Sequence, residues 1–144
     1  MSSSDVPEVG VQQVVPLLAV RSMSESLRFY VDGLGFRMTN QCINNDRLEW
    51  CWLQLGDAAL MLQEVVPRDK YTRELEGKIG LGMSLNFICR DALGFHHAVK
   101  ARGVTPQRPF VGNRMWVVSL KDPDGYDLHF ESSTAVPEGT QYDE

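Results

Sequence analysis

Long apolar segments and clusters of one charge are both missing from this 144-residue sequence. No apolar run approaches the roughly 20 residues that span a bilayer, and we expect no export signal because the first residues are neither basic nor apolar. The 14 Lys and Arg residues are dispersed among 19 Asp and Glu residues, so the formal net charge is -5. Because nucleic acids are bound through concentrated positive charge, we expect neither a nucleic-acid nor a membrane partner. The acidic balance mildly favours a cationic ligand.

Cysteine is also scarce. Cys42, Cys51 and Cys89 are odd in number and lie in apolar segments without metal-type spacing, which predicts buried thiols of a cytoplasmic protein. With 43% hydrophobic and 23% charged residues, the composition is that of an ordinary globular protein, and the length suits one domain. Polar composition predicts flexible tails at residues 1–12 and 133–144.

The first half of the chain changes its periodicity in an informative order. A continuous apolar run at residues 14–20 predicts a buried strand. Ser22 and Glu25 have the spacing of a capping box, and they open a helical pattern that ends at Gly33. Three strand-like stretches follow, at residues 36–43, 48–55 and 58–64.

The second half repeats this order after a charged linker at residues 65–80. The predicted elements are a strand at 81–89, a helix from Asp91 to Gly103, and strands at 104–107, 115–120 and 126–132.

The repeat has a nearly constant offset. Val15 opens the first unit and Ser84 opens the second, 69 residues later (84 − 15). Met61 and His129 lie in the last strands of the two units, 68 residues apart (129 − 61). Two landmarks that agree within one residue indicate a tandem duplication of a strand-helix-three-strand unit.

Each predicted strand can be divided into two rows, because side chains alternate between its faces. One row, which includes Leu18, Leu53 and Phe130, is apolar and is expected to pack on the helices. The other row, called the mixed face below, contains Val15, Leu17, Ala19, Trp50, Trp52, Gln54, Ala59, Met61, Gln63, Ser84, Asn86, Ile88, Asp127, His129 and Glu131. Apolar walls with a few polar groups are typical of a ligand cavity. The alternative is a face that is solvated or buried in a subunit contact.

Three segments carry a resemblance to a known family. Pro16-Leu-Leu-Ala-Val-Arg-Ser, Leu27-Arg-Phe-Tyr-Val-Asp-Gly-Leu-Gly-Phe36 and Asp122-Pro-Asp-Gly-Tyr-Asp-Leu-His-Phe-Glu131 resemble the glyoxalase/bleomycin-resistance/dioxygenase group, the vicinal oxygen chelate superfamily. The resemblance covers about residues 13–132. It implies an α+β fold in which two tandem βαβββ modules, at about residues 13–64 and 81–132, form a half-open mixed β-barrel with flanking helices. It also implies a homodimer.

The resemblance identifies four positions at which the superfamily's enzymes hold a divalent metal with His, Glu or Gln. Here these positions read Val15, Met61, Ser84 and His129. Valine has no donor atom, a thioether is a soft ligand, and a neutral serine is a poor one. Because one imidazole cannot replace the three or four ligands of a metal site, we expect no metal and no cofactor.

The resemblance also implies that metal-ligand side chains are missing in the bleomycin-resistance branch, whose members bind the drug without a metal. Trp50 and Trp52 suit stacking on a planar ligand, although either ring could instead fill the barrel core. Phe110 and Trp116 flank a loop-like stretch at residues 111–114 that is expected to cover the pocket. We therefore predict a metal-free binding protein that confers antibiotic resistance by sequestering a cationic or aromatic small molecule. Its predicted ligand-binding residues are Trp50, Trp52, Met61, Gln63, Ser84, Asn86, Phe110, Trp116, His129 and Glu131.

Two other functions stay open. The first is a lyase, isomerase or dioxygenase, either with a metal site displaced onto Gln13, Gln63 or Glu131, or with His129 acting beside Glu131 or Asp127 as acid and base. The second is a structural or regulatory partner domain without a ligand, in which the barrel would be filled.

Overall fold

The computed structural model describes residues 9–65 and 79–144, and within these ranges the chain forms two four-stranded sheets and two helices. The first module comprises β1 (Leu17–Val20), α1 (Met23–Leu27, continued by a π-helical turn over Arg28–Gly33), β2 (Arg37–Asn44), β3 (Arg47–Leu55) and β4 (Ala58–Glu64). The second comprises β5 (Ser84–Ile88), α2 (Ala92–Ala101), β6 (Phe110–Gly112), β7 (Met115–Lys121) and β8 (Asp127–Ser133). Among these described residues, no helix is long and apolar enough to cross a membrane. Most of the predicted linker at residues 65–80 and of the predicted tail at residues 1–12 lies outside the described residues.

Both sheets have the same strand order. The orders are β1-β4-β3-β2 and β5-β8-β7-β6, with β1 parallel to β4, β5 parallel to β8 and the other neighbours antiparallel. Leu17 pairs with Met61 and Asn86 with His129, so the register keeps offsets of 69 (86 − 17) and 68 (129 − 61) residues. In the described ranges no strand pair joins the sheets, so no closed barrel forms. The predicted α+β fold of two tandem βαβββ modules is confirmed.

Both helices begin where the capping residues predict. The Ser22 hydroxyl accepts a hydrogen bond from the backbone N–H of Glu25 at 3.2 Å. The Asp91 carboxylate accepts one from the backbone N–H of Gly94 at 2.9 Å. Each bond pairs one of the N–H groups that the first turn of a helix leaves free, and this defines where each helix starts.

The strand predicted at residues 104–107 is wrong. Those residues form no strand, and the second strand of this module is instead β6, which begins immediately after Pro109. Pro106 and Pro109 have no N–H group to donate to a neighbouring strand, so regular pairing starts after them. The expected loop at residues 111–114 is also different: Val111 and Gly112 belong to β6. Asn113 and Arg114, with φ angles of 52° and 63°, form the tight turn into β7.

Most of the predicted apolar row is buried as expected, whereas its members Leu85 and Phe87 on β5 are only partly buried. Residues that are at most 1% exposed include Leu18, Val20, Cys51, Leu53, Leu60, Leu62, Leu128 and Phe130. The prediction that all cysteines are buried is wrong for Cys42, which pairs with Trp50 and therefore lies on the mixed face of the edge strand β2. Cys89 is partly buried. Burial raises the pKa of the Cys51 thiol to about 11.

The two modules share one core. The rings of Phe36 and Phe87, from different modules, lie 6.0 Å apart edge to face. Tyr30 of the first module donates a hydrogen bond to the Asp122 carboxylate of the second at 2.8 Å. Because the two rows of a strand face opposite ways, both mixed faces point away from this shared core.

The last residues of the chain contact the second module. The backbone N–H of Val111 donates to the carbonyl of Thr140 at 2.8 Å, and that of Tyr142 donates to the carbonyl of Pro109 at 2.8 Å. The Glu144 carboxylate contacts the buried His96 at 2.7 Å. Composition predicts a flexible tail at residues 133–144, whereas the structure gives this segment a defined path along β6 because its backbone satisfies groups of that edge strand.

Candidate functional site

The mixed face of the first module carries an apolar and aromatic surface. Leu17, Met61 and Trp52 are direct register partners across β1, β4 and β3. Trp50 and Gln63 pair in the adjoining row. Directly opposite side chains in antiparallel strands lie about 4.5–5.5 Å apart at Cβ, so these groups form one continuous patch. We call Leu17, Trp50, Trp52 and Met61 the aromatic platform.

Hydrogen bonds hold the polar atoms at the margin of this platform. The indole N–H of Trp52 donates to the Gln54 side-chain oxygen at 2.9 Å, and the Gln54 amide donates to the Gly56 carbonyl at 3.1 Å. The Gln63 amide donates to the Glu49 carbonyl at 3.0 Å. Because these polar groups are already paired, the platform can offer a ligand the apolar faces of its rings.

The mixed face of the second module is polar. His129 lies between its register partners Asn86 on β5 and Ser119 on β7. The Ser119 hydroxyl oxygen and Nδ1 of His129 are 2.9 Å apart. We call Ser84, Asn86, Ser119, Asp127, His129 and Glu131 the polar panel.

Two carboxylates flank His129 on the panel and differ in their partners. Asp127 is 2.5 Å from Nζ of Lys121, and this hydrogen bond holds the pKa of the Asp127 carboxyl below its usual range. In the described part of the chain, Glu131 has no such cationic partner. Asp127 is therefore neutralised locally, whereas Glu131 keeps its negative charge available to a ligand.

The ten predicted ligand-binding residues are not all brought together. Trp50, Trp52, Met61 and Gln63 share one mixed face, and Ser84, Asn86, His129 and Glu131 share the other. Both groups have the side-chain direction that alternation predicts.

The two aromatic residues near the second sheet lie on different faces. Phe110 pairs with Val117, which pairs with Glu131, so Phe110 joins the polar panel's face at its far edge. Trp116 does not join it. It pairs with Ser132 on the opposite face, and its ring lies 5.6 Å from that of Tyr142. The pairing of Ser119 with His129 determines which face Trp116 occupies. Trp116 lies three positions before Ser119 on β7, so its side chain must point to the opposite face.

Sequence reasoning missed Ser119. A single serine in an apolar strand carries no chemical pattern of its own. Its signal lies in the turn at residues 122–125, because counting outward from that turn along two antiparallel strands places Ser119 opposite His129.

An open cleft of about 1030 Å³ is lined on one side by β5 and on the other by residues 13–16 and 55–59 of the first module. Its apolar lining includes Phe130, whose ring stacks on that of Phe87 at 4.4 Å and on that of Phe95 at 3.9 Å. Of the ten predicted ligand-binding residues, Ser84 and Asn86 line it. The cleft therefore follows the free edge of β5. It reaches the polar panel at Ser84 and Asn86 and is not lined by the other four panel residues.

The donor atoms do not fit the metal that the fold family implies. Within residues 9–65 and 79–144, no group of three or more His, Cys, Asp and Glu side chains is arranged to hold a metal ion. Nδ1 of His129 is engaged by Ser119, and the amide nitrogen of Gln63 by backbone carbonyls. Besides His129, the four positions at which the superfamily's enzymes hold a metal carry the Met61 thioether, the Ser84 hydroxyl and the side chain of Val15. These groups do not form a ligand set for a divalent cation.

Comparisons with known proteins agree with this architecture. A model of the Glyoxalase/Bleomycin resistance protein/Dioxygenase superfamily matches residues 10–130. A bleomycin-binding protein complexed with bleomycin is 21% identical, with a TM-score of 0.61 over 86% of this chain and 100% of that chain. TnmS3, an antibiotic binding protein from Streptomyces sp. CB03234, is 18% identical, with a TM-score of 0.63 over 88% and 99%. The hypothetical protein SA1046 from S. aureus is 19% identical, with a TM-score of 0.60 over 87% and 96%. No curated protein matches the sequence.

Proposed function

Given that the chain belongs to the Glyoxalase/Bleomycin resistance protein/Dioxygenase superfamily, we propose that it binds a small-molecule antibiotic without a metal ion and sequesters it in the cytoplasm. The observation that carries this proposal is the chemistry of the four positions at which the superfamily's enzymes hold their metal. Met61 lies within an aromatic platform, and His129 is held by Ser119 instead of by a cluster of ligands. A bleomycin-binding protein and an antibiotic binding protein among the structural neighbours support this choice of ligand.

The ligand that suits both modules is planar and carries a positive charge. The indole faces of Trp50 and Trp52 favour a planar aromatic group, and a cation over such a ring gains about 0.5–2 kcal/mol. Glu131 supplies an unneutralised carboxylate on the polar panel. The formal net charge of -5 further favours the approach of a cation.

We further propose that two copies of the chain complete the site. The cleft along β5 and the 71% exposure of Ile88 leave apolar surface uncovered in one chain. The backbone N–H of Cys89 bonds to Glu131 of β8, so in this parallel ladder the alternate residues Ser84, Asn86 and Ile88 direct their N–H groups away from β8. A second copy that covers this edge would close the cleft that β5 lines.

Binding of metal-free bleomycin by the purified protein, measured by titration calorimetry, tests the function. We expect Trp50→Leu and Trp52→Leu each to weaken binding about tenfold, equivalent to about 1.4 kcal/mol, because each removes a stacking surface. Trp116→Leu is the matched control, since that ring lies on the opposite face, and it should bind as the unmodified protein does.

Three results would count against the proposal. The first is failure to bind either bleomycin or a panel of planar cationic antibiotics. The second is equal weakening by all three tryptophan substitutions, which would indicate a general loss of structure. The third is stoichiometric zinc, nickel, iron or manganese in the purified protein, which would refute metal-free binding.

A lyase, isomerase or dioxygenase is the second candidate, favoured by one observation. Ser119 orients the His129 imidazole on the same face as the Glu131 carboxylate, two residues along β8, and these groups are of the types that serve as acid and base. Asp127 is less suited to this role because Lys121 engages it. If this candidate is right, His129→Ala abolishes turnover of a substrate and leaves the far-ultraviolet circular dichroism spectrum unchanged.

A further inference from the structure

Ser119 and His129 are two members of the polar panel whose side chains are joined by a hydrogen bond. They are directly opposite residues of β7 and β8, and the hydroxyl oxygen lies 2.9 Å from Nδ1 of the imidazole. Ser119 is only 9% exposed, whereas His129 is partly exposed. The serine is therefore the buried partner, and the imidazole is the one that a ligand can reach.

The direction of this hydrogen bond follows from what the serine can do. If Nδ1 donated its proton, the buried Ser119 hydroxyl would have to find a different acceptor, and in the described residues its oxygen contacts only His129. If the hydroxyl donates, only a spare lone pair is left unused, which is less costly than an unpaired buried donor. The hydroxyl thus donates to Nδ1, and the neutral ring carries its proton on Nε2.

The neighbours of His129 leave this Nε2–H group available. Lys121 engages the Asp127 carboxylate at 2.5 Å. The Asn86 amide donates to Ser84 at 3.3 Å. In the described part of the chain, Nε2 itself has no partner. The imidazole consequently presents a single oriented donor on the mixed face.

We infer that Ser119 is a positioning residue that fixes His129 as a hydrogen-bond donor through Nε2, and that the polar panel selects ligands with a neutral carbonyl or amide oxygen. Glu131 lies two residues from His129 on the same face, which corresponds to about 7 Å along a strand. The complementary ligand therefore carries an acceptor oxygen and, about 7 Å away, an N–H or cationic donor for Glu131. This inference rests on the proposed binding function and specifies which ligands it admits.

The tautomer of His129 tests the positioning role without any ligand. Long-range ¹H–¹⁵N correlation spectra separate Nδ1–H from Nε2–H imidazoles, and the protein has only three histidines. At a pH about two units above the ordinary histidine pKa of about 6.5, we expect the Nε2–H form of His129 to dominate. Ser119→Ala should give a mixture of tautomers, and Ser119→Thr, which keeps the hydroxyl, should restore the single form.

Ser133→Ala is the matched control, because Ser133 lies on the same face of β8, four residues beyond His129. It should leave the His129 spectrum unchanged. A dominant Nδ1–H form in the unmodified protein would overturn the inference, and so would a Ser119→Ala spectrum identical to that of the unmodified protein.

Benzamide and benzamidine test the selectivity, because they share a shape but differ in having an acceptor oxygen or a cationic nitrogen at the same place. We expect benzamide to shift the His129 Nε2 resonance in the unmodified protein and benzamidine to shift it at least fivefold less. Ser119→Ala should reduce this difference. Equal responses, or no response to benzamide, would overturn the selectivity. Failure of bleomycin to bind while the benzamide response persists would instead reject antibiotic sequestration and leave the inference standing.

Discussion

At the scale of single residues, the contact between Tyr30 and Asp122 links the two modules. Tyr30 is fully buried, and its hydroxyl donates to one carboxylate oxygen of Asp122. The other oxygen accepts the backbone N–H groups of Asp124 and Tyr126, both at 2.9 Å. Burial raises the pKa of the Tyr30 phenol, so it remains a donor across the physiological range. The carboxylate is thus satisfied at both oxygens only while the modules are in contact.

We expect Tyr30→Phe to lower the free energy of unfolding by about 1–3 kcal/mol, because it leaves a buried carboxylate oxygen without its donor. Urea denaturation followed by circular dichroism measures this change. Tyr142→Phe is the matched control, since that hydroxyl bonds to the exposed His97 at 2.9 Å, and it should cost less than about 0.5 kcal/mol. Equal effects of the two substitutions would contradict the role given to Tyr30.

Most of the candidate site could be predicted residue by residue because strand alternation needs only the start of each strand. Trp50, Trp52 and Met61 follow from β3 and β4, whose bounds the apolar pattern defines well. Trp116 could not be assigned from the sequence, since β7 starts after an unusual turn at two residues with positive φ. The role of Ser119 could not be predicted, because it depends on the register between β7 and β8 that places Ser119 opposite His129. The alternation of side chains within one strand contains no information about that register.

At the scale of elements, residues 134–144 act as a cover for β6. An isolated bridge pairs Phe110 with Gln141, and the carboxylate of Glu144 lies 2.8 Å from Lys100 on α2. Lys100 and His96 lower the pKa of the Glu144 carboxyl to about 2. The segment therefore joins the edge strand to the helix through both backbone and charged contacts.

Deletion of residues 141–144 is expected to accelerate amide hydrogen exchange in β6 and α2. The carbonyl of Pro109 loses its donor, and the buried His96 loses its carboxylate partner. Hydrogen exchange followed by mass spectrometry measures the change, with β3 as an internal reference that should stay protected. Glu144→Gln keeps the backbone contacts, so it should affect α2 more than β6. Unchanged exchange in both elements would show that the cover contributes no protection.

The sequence predicted the elements unevenly, for physical reasons. Both helices could be located because their caps are local, with Ser22 and Asp91 each bonding within three residues. The π-helical turn at Arg28–Gly33 could not, since the spacing of apolar residues hardly distinguishes it from an α-helix. The path of residues 134–144 depends on an edge strand more than 20 residues away, and polar composition says nothing about such a partner.

At the scale of the whole molecule, the exposed edge of β5 carries the prediction of a homodimer. Ile88→Glu places a second carboxylate directly opposite Glu131 on this edge and should produce monomers, because like charges that are buried together oppose association. Light scattering coupled to size-exclusion chromatography measures the mass. Ile43→Glu is the matched control, since Ile43 is 58% exposed on the distant edge strand β2 and should leave the dimer intact. Dissociation by the control alone would place the interface at β2, and a monomeric unmodified protein would reject the dimer.

The core that the modules share determines how the protein loses its structure. Opening either half would expose the aromatic contact between Phe36 and Phe87. It would also leave the Asp122 carboxylate without the hydrogen bond that Tyr30 donates. Neither duplicated half can then persist as a stable intermediate when the other melts. Heat or denaturant should consequently unfold both modules in one cooperative step, although the chain consists of two modules with the same strand order.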